Sequence, residues 1–296
     1  MAEGDSGGGI PDVETLRGAF SDRRTAELTL DGFVRNNRFT IAIVFPLVGG
    51  VMLLASAEGF LPDPLAFNPW FVLAGVFVMR LPLLSGLAPL VDRRAGLALG
   101  TLITYTYAIE YVGARTGLPY GEFTYEVSLG PMLWETIPYA LPLFFIPLVL
   151  NSYLLCLLAL GERARHAPIR VPAVAATVVA VDLVLDPAAV ALGFWSFGAG
   201  GYYGVPLLNY AGWVLSAVVA TALIDVAFRW LDILDRVTTC PYILDDMVSF
   251  VLLWGLVNAF YGAWIPVAIA ALFAGSLAAV DRFDFPVGTA RIPSFR

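Results

Sequence analysis

Two aspartates four residues apart interrupt an otherwise apolar run, D-L-V-L-D-P at 182–187. On a helix this spacing stacks Asp182 and Asp186 on one side. Two like charges so close in a low-dielectric setting do not both ionise cheaply, so the pair holds a proton, as a general acid must. Pro187 removes the backbone hydrogen bond to the carbonyl of residue 183 and opens space beside the acids. A second polar run, T-Y-T-Y-A-I-E-Y-V-G-A-R-T-G at 103–117 less its first residue, closes another apolar segment with Tyr105, Tyr107, Glu110, Tyr111 and Arg115. Helical spacing puts Tyr107, Glu110 and Tyr111 on one face. The tyrosines fit an interfacial aromatic belt. Glu110 does not, because a charge inside the hydrocarbon region is expensive and marks function.

Two aromatic segments flank these acids. G-L-P-Y-G-E-F-T-Y-E-V-S-L-G-P, residues 117–131, is too aromatic for a plain hydrophilic loop and is expected to dip back into the membrane. Irregular backbone at that depth must be buried in protein or line a wet cavity. Glu122, Tyr125 and Glu126 then either wall a pocket or sit as ordinary interface residues. G-F-W-S-F-G-A-G-G-Y-Y-G-V-P-L-L-N-Y, residues 193–210, carries six aromatics among glycines and no charge. Aromatic faces stabilise positive charge and pack against flat conjugated ligands, and Asn209 adds a directed hydrogen-bonding group.

The remaining polar residues have structural readings. Arg80, mid-way along an apolar segment, is expected to pair with Asp182, which leaves Asp186 the better catalytic candidate. Asp225 and Arg229 read as a surface salt bridge, and His166, among arginines, as solvated. A single histidine excludes a histidine-ligated metal oxygenase. Cys156 and Cys240 indicate neither a disulfide framework nor a metal site, and no cofactor is expected.

The elements that must position these groups are membrane helices. Of 296 residues, 59% are hydrophobic and 14% charged, against roughly a quarter charged in soluble domains. The apolar residues fall at 39–57, 70–91, 95–114, 137–160, 170–193, 206–228, 244–260 and 264–280, each of a length that crosses a ~30 Å hydrocarbon layer. The fold class is therefore an all-α integral membrane protein of about eight transmembrane helices, with seven as the alternative. All 17 basic residues are arginine. With the amino terminus inside, fifteen of them fall in cytoplasmic segments, the exceptions being Arg80 and Arg115. Both termini are then cytoplasmic, and the carboxylates gather toward the other side of what is expected to be the cell membrane. Residues 1–38 read as a polar, partly disordered tail with one short helix near Val13 to Phe20, residues 39–280 as a single domain, and 281–296 as a second tail. The first 38 residues lack the basic-then-apolar order of a secretory leader. No internal repeat is visible. The net charge of −7 without lysine suggests a high-salt or GC-rich source, and no nucleic acid is expected among the partners.

Three segments together, G-A-R-T-G-L-P-Y-G-E-F-T-Y at 113–125, D-L-V-L-D-P at 182–187 and the run 193–210, resemble the integral-membrane carotenoid hydratases, and the acidic, lysine-free composition fits their haloarchaeal members. The resemblance covers about 39–280. It implies addition of water across a terminal isoprenoid double bond of an acyclic carotenoid, giving a tertiary alcohol without cofactor. In haloarchaeal members two such hydrations would convert bisanhydrobacterioruberin to bacterioruberin. The implied partners are the carotenoid, water and the lipid bilayer, with other enzymes of the pathway as associates.

The chemistry of that addition assigns roles to the residues. Asp186, or the Asp182/Asp186 pair, supplies the proton. Trp195, Tyr202 and Tyr203 shield the cation, with Tyr107 and Tyr125 nearby. Glu110 or Glu122 deprotonates the water, and Arg115 keeps one of them ionised. Rival readings are a membrane carotenoid cyclase, which also begins by protonating a terminal alkene, an intramembrane prenyltransferase using D-L-V-L-D to hold magnesium diphosphate, and a carotenoid or lipid carrier.

Overall fold

A computed structural model describes residues 13–198 and 200–283 of the chain. Ten helices carry the fold: α1 Val13–Phe39, α2 Phe45–Ala57, α3 Pro69–Leu87, α4 Arg93–Thr116, α5 Pro142–Leu160, α6 Ala167–Leu192, α7 Leu207–Ala227, α8 Trp230–Thr239, α9 Asp245–Phe260 and α10 Trp264–Ala279. Each of the eight expected apolar segments overlaps one of these helices, α2 to α7, then α9 and α10, with α3, α4 and α6 starting one to three residues earlier than expected. Gly262 separates the last two, which divides the stretch the sequence left ambiguous. Five helices among the described residues are long and apolar enough to cross a membrane by length and composition: Asp22–Ala57, Pro69–Leu90, Pro142–Arg165, Ala167–Leu192 and Leu207–Ala227.

Two features depart from expectation. The segment read as a tail is helical from Val13, and α1 passes through one π-helical turn, Thr40–Val44, directly into α2. It is anchored by polar contacts: Arg23 donates to the carbonyls of Ala88 and Val91, and Arg38 is paired with Asp245 at 2.8 Å. The extreme residues 1–12 and 284–296 lie outside the described residues. The fold also contains four short strands, β1 Phe123–Tyr125, β2 Met132–Leu133, β3 Ile137–Pro138 and β4 Trp195–Phe197. The aromatic loop expected to dip back irregularly into the membrane is thus partly strand.

α6 is the central post, packed against α5, α7, α9 and α10, while α4 lies against α7 and α5, and α3 against α9, α1 and α2. The core along α6 is built from small and branched side chains, Val174, Val178, Val181 and Val184 with Ala217 and Ala220 of α7, none more than 1% exposed. At one end of the bundle arginines donate into helix-terminal carbonyls: Arg236 to Gly86, Arg170 to Ala164, and Arg282 to Val237 and Thr238. The last carbonyls of a helix have no intrahelical partner and carry partial negative charge, so a guanidinium there satisfies both needs. The aromatic segments and short strands occupy the opposite end.

Two expected ion pairs are replaced. Arg80 donates to Asp246, not to Asp182, and Asn151 holds the other oxygen of Asp246 at 2.7 Å. Asp245 and Asp246 open α9, where the helix amino terminus favours negative charge, and this draws Arg80 to that element. Asp225 pairs with Arg170 at 2.5 Å and accepts from Tyr153 at 2.7 Å, not with Arg229. α7 ends at Ala227 and Phe228 is extended, so the i, i+4 geometry that would bring Arg229 back does not exist.

Candidate functional site

The acid pair is buried at the aromatic end of the bundle. Asp182 is 0% exposed, and Asp186 and Asn209 are each 4% exposed. Asn209 lies in the first turn of α7, and its amide nitrogen donates to Asp182 Oδ2 at 2.8 Å and also to Asp186 Oδ2. One amide thus clamps two carboxyl groups one helical turn apart. No ion pair to either aspartate occurs among the described residues. Without a cation the pair is tolerable in that setting only with a shared proton. Pro187 leaves the carbonyl of Leu183 without its helical donor, and the Tyr202 hydroxyl donates to that carbonyl at 3.4 Å.

The wall facing the acids is made by β1 and β4, paired antiparallel with Phe123 opposite Phe197 and Tyr125 opposite Trp195. Gly193, with φ of 78°, ends α6 in the left-handed conformation that turns the chain into β4. The alternation of side chains along a strand then sorts the loop. Phe123 and Tyr125 turn inward, whereas Glu122, Thr124 and Glu126 turn out and are exposed. Tyr125 donates its hydroxyl to Glu110 of α4, and its ring meets Trp195 edge-on at 6.4 Å.

Glu110, Asp186 and Asn209 converge on one cavity with about 210 Å³ open to the centres of water-sized molecules. Its walls are otherwise apolar. Near the acids stand Tyr120, Tyr125, Trp195 and Trp213, and a long arm runs past Gly49, Gly75 and Met79 to Trp254. At the side of the bundle the lining includes Phe45, Met52, Leu65 and Phe71, which are 40–53% exposed. The arm therefore opens between α2 and α3 on the apolar flank of the bundle.

The structure gathers only part of the residue set expected from sequence. Asp186, Glu110, Asn209, Tyr125 and Trp195 line the cavity, and Asp182 stands directly behind Asp186. Glu122 lies outside, on the outer face of β1, as does Glu126. Arg115 stacks over the ring of Tyr111 at 5.3 Å. It is five residues from Glu110, around the helix from it, and reaches neither glutamate. Tyr107 donates to the carbonyl of Tyr139 at 2.6 Å. Tyr203 is exposed and Tyr202 half-buried, and neither lines the cavity. Tyr120, Trp213, Phe145 and Trp254 were missed. Trp213 falls one turn after Asn209, a spacing that could have found it. Phe145 and Trp254 sit in uniformly apolar stretches with nothing to mark them. Among the described residues no three His, Cys, Asp or Glu side chains are grouped as a metal-holding set.

Tyr120 is seated by close packing, its hydroxyl sharing a 2.6 Å hydrogen bond with Ser216 and its ring 5.9 Å from Trp213. A Cβ at Gly212 would lie 2.5 Å from that ring and 2.8 Å from the carbonyl oxygen of Pro119. Gly212→Ala is therefore expected to push the 117–121 turn off α7 at a cost of ~1–3 kcal/mol. Thermal unfolding beside turnover measures this, and turnover should fall more than the folded fraction.

Residues 67–277 match the family described as carotenoid biosynthesis protein. The chain is also 60% identical over 267 residues to the bisanhydrobacterioruberin hydratase of Haloarcula japonica, covering 90% of this chain and 91% of that one. No solved structure matches it.

Proposed function

This chain belongs to the carotenoid biosynthesis protein family, and we propose that it is a carotenoid hydratase, in keeping with its Haloarcula relative's name, and that this hydro-lyase adds water to the terminal isoprenoid double bonds of an acyclic carotenoid. The substrate type is that of bisanhydrobacterioruberin and the product a tertiary alcohol. One observation carries the reading: a cation-free pair of buried carboxyls, clamped by Asn209, faces an apolar cavity that also holds a separate glutamate.

Hydration of a trisubstituted alkene needs a proton at the less substituted carbon, shelter for a tertiary cation and a water on one face. Asp186 lines the cavity and gives the proton. The faces of Trp195, Trp213 and Tyr120 surround the position where positive charge develops. Glu110, oriented by the Tyr125 hydroxyl, takes the proton from the attacking water. The π electrons form the new C–H bond, the water oxygen forms the C–O bond, and no electrons are lost or gained. We read eight of the helices as membrane crossings, with the arginine-rich end and both termini cytoplasmic, and place the protein in the cell membrane. The substrate then enters from lipid between α2 and α3.

Expression with an acyclic carotenoid precursor tests the reaction directly. Gain of the mass of water supports hydration, whereas an unchanged mass with a shifted spectrum would show cyclisation. The arm makes its own prediction. A Cβ at Gly75, which lines the cavity, meets nothing within 4 Å, so Gly75→Trp is expected to narrow the arm from a position where its first side-chain atom has open space. At ~0.8 kcal/mol per excluded CH2 group, losing two or three carbons from the cavity weakens substrate binding by ~10- to 50-fold. The rise should appear in KM at unchanged protein level.

A further inference from the structure

In the acid pair and on the helix that clamps it, two buried polar atoms have no hydrogen-bond partner among the described residues. They are Asp182 Oδ1 and the hydroxyl of Tyr210. Asp182 is fully buried and Tyr210 is 8% exposed. Neither lines the cavity. Orphaned buried polar atoms in a folded protein call for an explanation, and a bridging water is a common one. Their surroundings point outward. Tyr210 follows the clamping Asn209 on α7, and its ring meets that of Tyr202 at 6.0 Å. Tyr202 reaches the carbonyl of Leu183, the residue after Asp182, and its ring is 4.8 Å from exposed Tyr203.

We infer that Tyr210 and Asp182 form a proton relay which reloads Asp186 from water at the Tyr202–Tyr203 surface while the cavity is occupied by polyene. The inference rests on the hydratase reading above. Each turnover leaves Asp186 as a carboxylate and Glu110 protonated. The bulky apolar substrate blocks a return through the cavity, so the two ends reset separately. A water bridging the two orphaned atoms protonates Asp182 Oδ1 and is itself reprotonated by the Tyr210 hydroxyl, which recovers a proton from water on the Tyr202 side. Asp182 then passes that proton to Asp186, and the pair again holds one. Glu110 releases its proton to water after the product leaves. Summed over the cycle, alkene and water give alcohol, and the relay groups return to their starting state. Tyr202 and Tyr203, expected to shield a cation, mark the outer mouth of this path instead.

Tyr210→Phe in the full chain, reconstituted in lipid vesicles with the acyclic carotenoid, separates the relay from a packing role. The first turnover uses a proton already stored on Asp186 and should run at the wild-type rate. Later turnovers should slow by tenfold or more, with a larger solvent deuterium isotope effect and unchanged KM. Thermal stability should not fall, since the hydroxyl removed has no protein partner. Equal steady-state rates and isotope effects, or an equal slowing of the first turnover, would overturn the relay. If Tyr210→Phe does not accumulate, Tyr202→Phe carries the same two readouts. Asp186→Asn in parallel keeps the two ideas apart. Product from that variant defeats the acid assignment itself, whereas an inactive Asp186→Asn beside an unaltered Tyr210→Phe defeats only the relay.

Discussion

Asp186→Asn is expected to remove hydrated product almost entirely, by a factor of ~10²–10⁴, the usual contribution of a positioned general acid. The substitution is nearly isosteric, and the new amide's carbonyl oxygen can still accept from Asn209 Nδ2, so membrane levels should be normal. What is lost is the transferable proton beside the cavity. Asp182→Asn is expected to do less in the first turnover, because Asp182 stands behind Asp186 and does not line the cavity. Quantifying mono- and dihydrated pigment by mass against protein level makes the comparison. Wild-type dihydrated pigment from Asp186→Asn would end the assignment.

Arg80→Met is expected to have the largest effect on stability. Asp246 is fully buried, and its partners are Arg80 and Asn151. Removing the guanidinium leaves a buried carboxylate with one amide donor, a change that costs ~3–5 kcal/mol when a buried pair is broken from one side. The same reasoning requires that Arg80→Met with Asp246→Leu recover most of the loss, since no uncompensated charge then remains. Thermal unfolding in detergent across the single and double variants measures this. A second cavity, bounded by Arg80 and Asn151 on one side, shares Leu185 and Trp254 with the first. Loosening this ion pair should therefore also disturb the floor of the apolar arm.

The acids themselves were legible because a charge in an apolar run has few innocent explanations. Asp182, Asp186 and Glu110 stand out by type alone, and Asn209 by its place at the head of a helix. Their partners were less legible. Arg80 was matched to Asp182 by depth, but depth along separate helices leaves the angle around each axis open, and packing sends Arg80 toward α9. Asp225 was matched to Arg229 by helical spacing, which fails where α7 stops. Arg115 was matched to a glutamate by proximity in the chain, and the five-residue offset points it elsewhere.

The aromatic loops show the same division. Their composition announced that something more than a hydrophilic connection lay there. It did not announce β1 and β4, because three-residue strands make no periodic signal, and only their mutual pairing fixes which side chains face inward. That register is why Tyr125 and Trp195 line the cavity and Glu122 does not.

Membrane character, the apolar segments and the acids Asp182, Asp186 and Glu110 follow from the sequence alone, whereas the division at Gly262 is left open by it. They depend on local quantities, namely run length, side-chain charge and spacing within one helix. Which acids line the cavity, that one asparagine clamps both, that Arg80 pairs with a different aspartate, and that the apolar arm opens between α2 and α3 depend on rotations and contacts between segments far apart in the chain. Only the packed tertiary structure sets those, since each burial or hydrogen bond requires two elements to be in place at once.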